Sequence, residues 1–132
     1  EKAERIAEEI NGMVHRRFAE ALALSDFHRL PERERFLSIQ ATNVGMFPRT
    51  QEALIEEESF YRRVHTGYDL IFNPVRTRFM EAVEAAGGQA FNGLKMLLWQ
   101  GIIAYELWTG SKVDGAMARE AYEAMRQAMK LV

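Results

Sequence analysis

Apolar residues recur at three- and four-residue steps along most of the chain, and no segment shows a sustained alternation of apolar and polar positions. Such steps are typical of one face of an α-helix. The pattern predicts a long amphipathic helix over Glu1–Leu24 and a second helix over Pro31–Met46. Pro48 ends this second helix, because the residue before a proline avoids helical geometry. A short third helix is expected over Arg49–Glu58.

The second half of the chain predicts three further helical segments. An apolar stripe runs over Ser59–Ala86, and we expect a kink just before Pro74. Gln89–Thr109 is hydrophobic nearly all round, which indicates a helix buried in the core or against another subunit. Asp114 is a good N-cap for a last helix that reaches Lys130. The predicted fold class is therefore all-α, a bundle of about six helices.

The composition fits one domain, residues 1–132. Of its 132 residues, 48% are hydrophobic, which suffices for one core and excludes a disordered chain. Cysteine is absent, which excludes disulfides and thiolate metal sites and favours a reducing, cytoplasmic compartment. The net charge of −2 gives no bulk attraction for nucleic acid or an anionic membrane. Phe91–Trp108 is mostly apolar, but its charged residues argue against a membrane span.

The sequence contains no clear catalytic motif. A di-metal helical bundle needs a glutamate three residues before a histidine, and Gly12, Ser25 and Arg62 occupy those three places. Haem or metal binding by a helical-bundle enzyme, through His65 and the acidic run Glu56–Glu58, stays open as an alternative. The main prediction is a protein that is not an enzyme, with no catalytic residue, no metal site and no cofactor.

Polar residues interrupt several of the apolar stripes. A buried polar group needs a hydrogen-bond partner, and leaving it unpaired costs about 1–3 kcal/mol. These groups could bond to one another, to the backbone or to water, or they could face an enclosed ligand with otherwise apolar walls. On the second interpretation a small apolar or aromatic molecule contacts the following residues: Gln40, Asn43, Val44, His65, Tyr68, Phe72 and Trp99.

The last two predicted helices offer more apolar surface than one small core can bury. We expect the surplus to meet a symmetry mate in an isologous homodimer. The alternative is a pocketless helical module that pairs with a different protein. The predicted dimer interface consists of Gly93, Met96, Gln100, Ile103, Leu107, Ala118, Ala121, Tyr122, Met125 and Met129.

The order of these features resembles the C-terminal ligand-binding and dimerisation domain of TetR/AcrR-type transcriptional regulators. The motifs are Leu30–Leu37, Phe47-Pro48 before a short helix that ends at Glu56–Glu58, a long helix that ends at Gly87-Gly88, and a break at Thr109–Asp114. The resemblance implies a cytoplasmic repressor domain whose helices shift when a small-molecule effector binds. It also implies that DNA is contacted only through a DNA-binding domain that this sequence does not contain.

Overall fold

A computed structural model describes residues 1–31 and 34–130 of the chain. The chain forms two compact units, the first over Glu1–Glu34 and the second from Arg35 onward. The first unit contains helix α1 (Lys2–Val14) and a 3₁₀ turn over Leu24–Arg29. The first predicted helix therefore ends well before Leu24, and a left-handed His15 with a φ of 52° stops it.

The second unit contains a parallel sheet of three strands in the order β1-β2-β3. The register places Gln40 beside Asp69, and Tyr68 beside Phe91. The carboxyl ends of all three strands therefore meet at one edge of the sheet. In chain order the elements of this unit are β1 (Phe36–Gln40), α2 (Glu58–Tyr61), β2 (Val64–Asp69), α3 (Arg78–Ala85), β3 (Gln89–Phe91), α4 (Leu94–Thr109) and α5 (Gly115–Lys130).

The all-α prediction is wrong, because two of the apolar stripes contain strands. The helix expected over Pro31–Met46 contains β1, and its residues 32 and 33 lie outside the described residues. The helix expected over Ser59–Ala86 contains β2 and parts of two short helices. Phe60, Val64 and Tyr68 are four residues apart, and this step suits one face of a strand as well as a helix. Parallel strands also show little alternation, since helices cover their faces.

The predictions for the other segments have mixed outcomes. The segment before Glu58 forms turns in place of the third helix, and the first residues of Gln89–Thr109 form β3 before α4 begins. The last helix is confirmed, since the Asp114 carboxylate accepts hydrogen bonds from the backbone N–H groups of Ala116 at 2.8 Å and Met117 at 2.9 Å. In the described part of the chain, no helix combines the length and the apolar character that crossing a membrane requires.

Gly67 allows α3 to pack directly on the middle strand. A Cβ atom at this position would lie 2.8 Å from Cγ2 of Val83 and 3.0 Å from Cε1 of Phe79, both on α3. Val83 is fully buried. Any larger side chain at position 67 must therefore push the helix away from the sheet.

We predict that Gly67→Ala lowers the free energy of unfolding by about 1–3 kcal/mol, because the added methyl group overpacks the contact between β2 and α3. Urea denaturation followed by circular dichroism measures the change. Gly101→Ala in α4 is the matched control, since a Cβ there has no neighbour within 4 Å and alanine favours a helix. Equal stability of Gly67→Ala and the native chain would contradict the packing account.

Candidate site at the carboxyl edge of the sheet

The carboxyl edge of a parallel sheet is where ligands bind in open α/β folds, because the loops that follow the strands diverge there. In this protein Gln40, Asp69 and Phe91 end the three strands at that edge. A pocket of about 160 Å³ lies among the loops after β1 and β2, and we name it the edge pocket. Its lining residues are Ala41, Thr42, Met46, Leu70, Ile71, Phe72 and Asn73.

A buried hydrogen-bond network holds these loops in place. Asp69 is completely buried, and its Oδ2 accepts a hydrogen bond of 2.6 Å from the Thr77 hydroxyl. Its Oδ1 accepts from the backbone N–H of Ile71 at 2.9 Å and from Nε2 of Gln40 at 3.3 Å. Thr77 also caps α3, since its hydroxyl accepts from the N–H of Met80. One carboxyl group therefore connects the end of β1, the loop after β2 and the start of α3.

The Gln40 side chain extends the network into the loop after β1. Its Nε2 donates to the carbonyl of Val44 at 2.9 Å. Its Oε1 accepts from the backbone N–H of Thr42 at 2.6 Å and from the Thr42 hydroxyl at 2.8 Å. Gln40 is buried, so its amide holds the loop that forms one wall of the edge pocket.

Gly93 brings the start of α4 against the loop after β2. Its backbone N–H donates to the carbonyl of Ile71 at 3.0 Å, and a Cβ atom at Gly93 would lie only 2.0 Å from the carbonyl oxygen of Leu70. Asn92 donates from its side chain to the carbonyl of Val75 at 3.0 Å and also accepts a hydrogen bond from the first turn of α4. These contacts fix the N-terminus of α4 beside the edge pocket.

Part of the predicted ligand set lies at this edge. Gln40, Asn43 and Val44 lie at the end of β1 or in the loop after it, and Tyr68 and Phe72 flank the end of β2. Of these residues Phe72 lines the edge pocket. As ligand contacts, the five residues remain a prediction.

The other two predicted ligand residues lie elsewhere. His65 is exposed near the amino end of β2, with its Nδ1 2.8 Å from the Thr66 hydroxyl. Trp99 is more than half exposed on α4. Two of the three helices that were expected to enclose a cavity contain strands, so the expected arrangement does not form. As ligand contacts, His65 and Trp99 also remain predictions.

The residues predicted for a dimer interface lie on or next to α4 and α5. Gly93 is buried against Leu70, and Tyr122 is half-buried with the Lys95 ammonium 5.6 Å from its ring centre. The interface itself remains a prediction. The other members are exposed or half-buried: Met96, Gln100, Ile103, Leu107, Ala118, Ala121, Met125 and Met129.

The acidic run next to α2 takes part in ion pairs. Glu58 pairs with Arg62 at 2.8 Å, and Glu56 lies 4.0 Å from Arg78. Over residues 1–31 and 34–130, no three His, Cys, Asp or Glu side chains lie together so that they could hold a metal ion.

The most informative residues of the edge are missing from the predicted ligand set. Thr42, Met46, Asp69 and Asn73 lie at the end of a strand or in the loop after it, and none of them interrupts a helical stripe. Recognition of β1 and β2 as parallel strands would have pointed to them, because ligand sites follow strand ends.

Burial raises the pKa of the Asp69 carboxyl above its usual range, since removal from water disfavours the charged form. The hydrogen bonds from Thr77, Ile71 and Gln40 act in the opposite direction and are outweighed. The folded state therefore binds this proton more tightly than the unfolded state. The resulting stabilisation is fully present below the unfolded pKa of about 3.9 and is lost as the pH rises through the raised pKa.

We predict that the unfolding free energy of the native chain, minus that of Asp69→Asn, decreases as the pH rises from about 4 to 7, because the variant lacks the titrating group. Urea denaturation at several pH values measures this difference. Glu120→Gln removes an exposed carboxylate on α5 and serves as the control, since it should retain the native pH dependence. A difference that increases with pH would contradict the assignment.

Sequence comparisons identify a different family from the one that the helical stripes suggested. The family model for the shikimate 5'-dehydrogenase C-terminal domain matches residues 93–130, which contain α4 and α5. The shikimate dehydrogenase (NADP(+)) of Methanopyrus kandleri is 37% identical over 123 residues, which are 92% of this chain and 42% of that relative. The chain therefore spans less than half of the relative's length.

Solved structures agree with the sequence matches. Shikimate 5-dehydrogenase from Listeria monocytogenes in complex with shikimate and NAD has a TM-score of 0.74 and 31% identity, covering 90% of this chain and 42% of that one. A chorismate mutase/shikimate 5-dehydrogenase fusion protein from Clostridium acetobutylicum has a TM-score of 0.73 and 27% identity, covering 82% of this chain and 39% of that one.

These findings correct the functional predictions. The TetR/AcrR resemblance is wrong, and with it the transcriptional repressor, the effector that shifts helices and the DNA partner. The expectation that the protein is not an enzyme is also overturned, since the relatives are named as dehydrogenases. Over most of its length this chain is similar to part of the shikimate dehydrogenases, a class of oxidoreductases.

Proposed function

We propose that this chain is the part of an NADP-dependent, shikimate dehydrogenase-like enzyme that holds the nicotinamide end of the cofactor. The similarity to the Methanopyrus kandleri enzyme over 92% of the chain supports the enzyme class. The element order β1-α2-β2-α3-β3 supports the location, since dinucleotide-binding folds consist of two such halves. The observation that carries the proposal is the edge pocket at the carboxyl ends of these strands.

The chemistry of the edge pocket fits a nicotinamide ring. Met46, Leu70 and Phe72 supply apolar surface for the faces of a planar ring. Thr42 and the exposed Asn73 supply polar groups, and an exposed amide can hydrogen-bond to a carboxamide. Apolar walls with a few placed polar groups are typical of cofactor sites.

The sequence does not fit the diphosphate of the same cofactor. A G-x-G-x-x-G turn commonly binds that group, and none of the nine glycines belongs to such a motif. The proposal therefore assigns diphosphate binding to polypeptide that the relatives have outside the matched region. It follows that the 132-residue chain alone binds NADP weakly.

When bound, NADP supplies hydride transfer to or from the substrate carbon. The residues of this chain hold and orient the ring, and the network around Asp69 keeps the walls of the pocket at a fixed separation. Shikimate is the first substrate to test, because the relatives are named for it. The cytoplasmic location expected from the cysteine-free composition is part of this proposal.

A chimera tests the proposed activity. In the Methanopyrus kandleri enzyme, this chain replaces the region that it matches, and we predict shikimate-dependent reduction of NADP, measured by the absorbance of NADPH. A folded chimera that binds NADP without oxidising shikimate would contradict the proposed substrate. A folded chimera that fails to bind NADP would contradict the proposed cofactor site.

A second substitution tests the location of the nicotinamide. Ala41→Trp should fill the edge pocket and raise the KM for NADP of the chimera by about tenfold or more, which corresponds to roughly 1.4 kcal/mol of lost binding. Ala23→Trp is the matched control, since Ala23 is exposed in the first unit and outside the pocket. An unchanged KM for Ala41→Trp would exclude the edge pocket as the nicotinamide site.

A further inference from the structure

Helix α4 exposes a row of large apolar side chains. Trp99, Ile103 and Leu107 follow each other at four-residue steps, so they share one face of the helix. Their exposed fractions are 55%, 55% and 78%, and the neighbouring Trp108 is 84% exposed. An apolar patch of this kind usually marks a binding surface.

An apolar groove of about 580 Å³ lies between α4 and α5. Leu97, Gly101 and Tyr105 line it from α4, and Met117 and Met125 line it from α5. The groove stays open at Gly101, where a Cβ atom would have no neighbour within 4 Å. Methionine side chains adapt to an irregular partner. The row on α4 and this groove are together named the α4–α5 surface.

We propose that the α4–α5 surface docks the polypeptide that shikimate dehydrogenases have outside the region matched by this chain. The inference rests on the proposed function. The family model matches 93–130, which contains the two helices of this surface. More than half of the Methanopyrus kandleri relative lies outside the match, so each relative has its own polypeptide available to cover the surface.

A second copy of this chain is a poorer occupant. The isologous interface predicted from the sequence includes Gly93, and this residue is buried against the Leu70 carbonyl. Docking of the additional polypeptide also explains how the site is completed. Since α4 begins beside the edge pocket, a body docked along the helix stands next to that pocket and can cover it.

The two tryptophans of the chain report directly on docking, because both lie on α4. The 132-residue chain is titrated, without nucleotide, with the unmatched portion of the Methanopyrus kandleri enzyme, in which any tryptophan is replaced by phenylalanine. We expect acrylamide quenching of Trp99 and Trp108 to fall severalfold. Leu107→Asp should weaken the association about tenfold or more, since a charge in an apolar interface costs binding energy. Met13→Asp, at an exposed apolar position on α1, should leave it unchanged.

Two outcomes would overturn the proposal. The first is unchanged quenching at saturating concentrations of a folded partner portion. The second is protection of both tryptophans in the 132-residue chain alone, rising with its concentration and lost in Leu107→Asp, which would assign the surface to a second copy.

If the isolated portion does not fold, hydrogen exchange of α4 is compared between the 132-residue chain and the chimera described above. We expect slower exchange of α4 in the chimera, and equal rates would overturn the proposal. Docking without NADP binding would count against the proposed function alone, because neither experiment includes nucleotide.

Discussion

The buried carboxyl of Asp69 is the interaction on which the carboxyl edge depends. A carboxyl group without solvent must have every oxygen engaged, and here the partners come from three different segments, represented by Gln40, Ile71 and Thr77. Satisfying one group therefore determines where two loops and one helix begin. The edge pocket is the space that these fixed loops leave between them.

The sequence predicts the C-terminal helices well and the sheet poorly. Asp114 announces α5 through a local capping interaction, so the helix can be found from a few neighbouring residues. Strand β2 depends on pairing with β1 and β3, which are distant in sequence. Its apolar residues have spacings that satisfy both periods, and only the packing of α3 over Gly67 decides between them.

The candidate site was only partly predictable for the same reason. Gln40 was correctly noted as a polar residue in an apolar setting, and it is buried in the structure. The search for polar interruptions of helices could not reach Thr42 or Asn73, because these residues belong to loops whose position depends on the sheet. The function followed from sequence similarity rather than from motifs, since the chain lacks the glycine-rich turn that identifies dinucleotide enzymes.

The contact between Gly93 and Leu70 has a mechanical consequence. There is no clearance at this point for even one methyl group, so α4 cannot slide past the loop after β2 and can only pivot about it. The Leu70 and Ile71 carbonyls meet Gly93 on one side, while the same two residues line the edge pocket on the other. Any tilt of the α4 lever is therefore transmitted to the pocket wall through a single peptide unit.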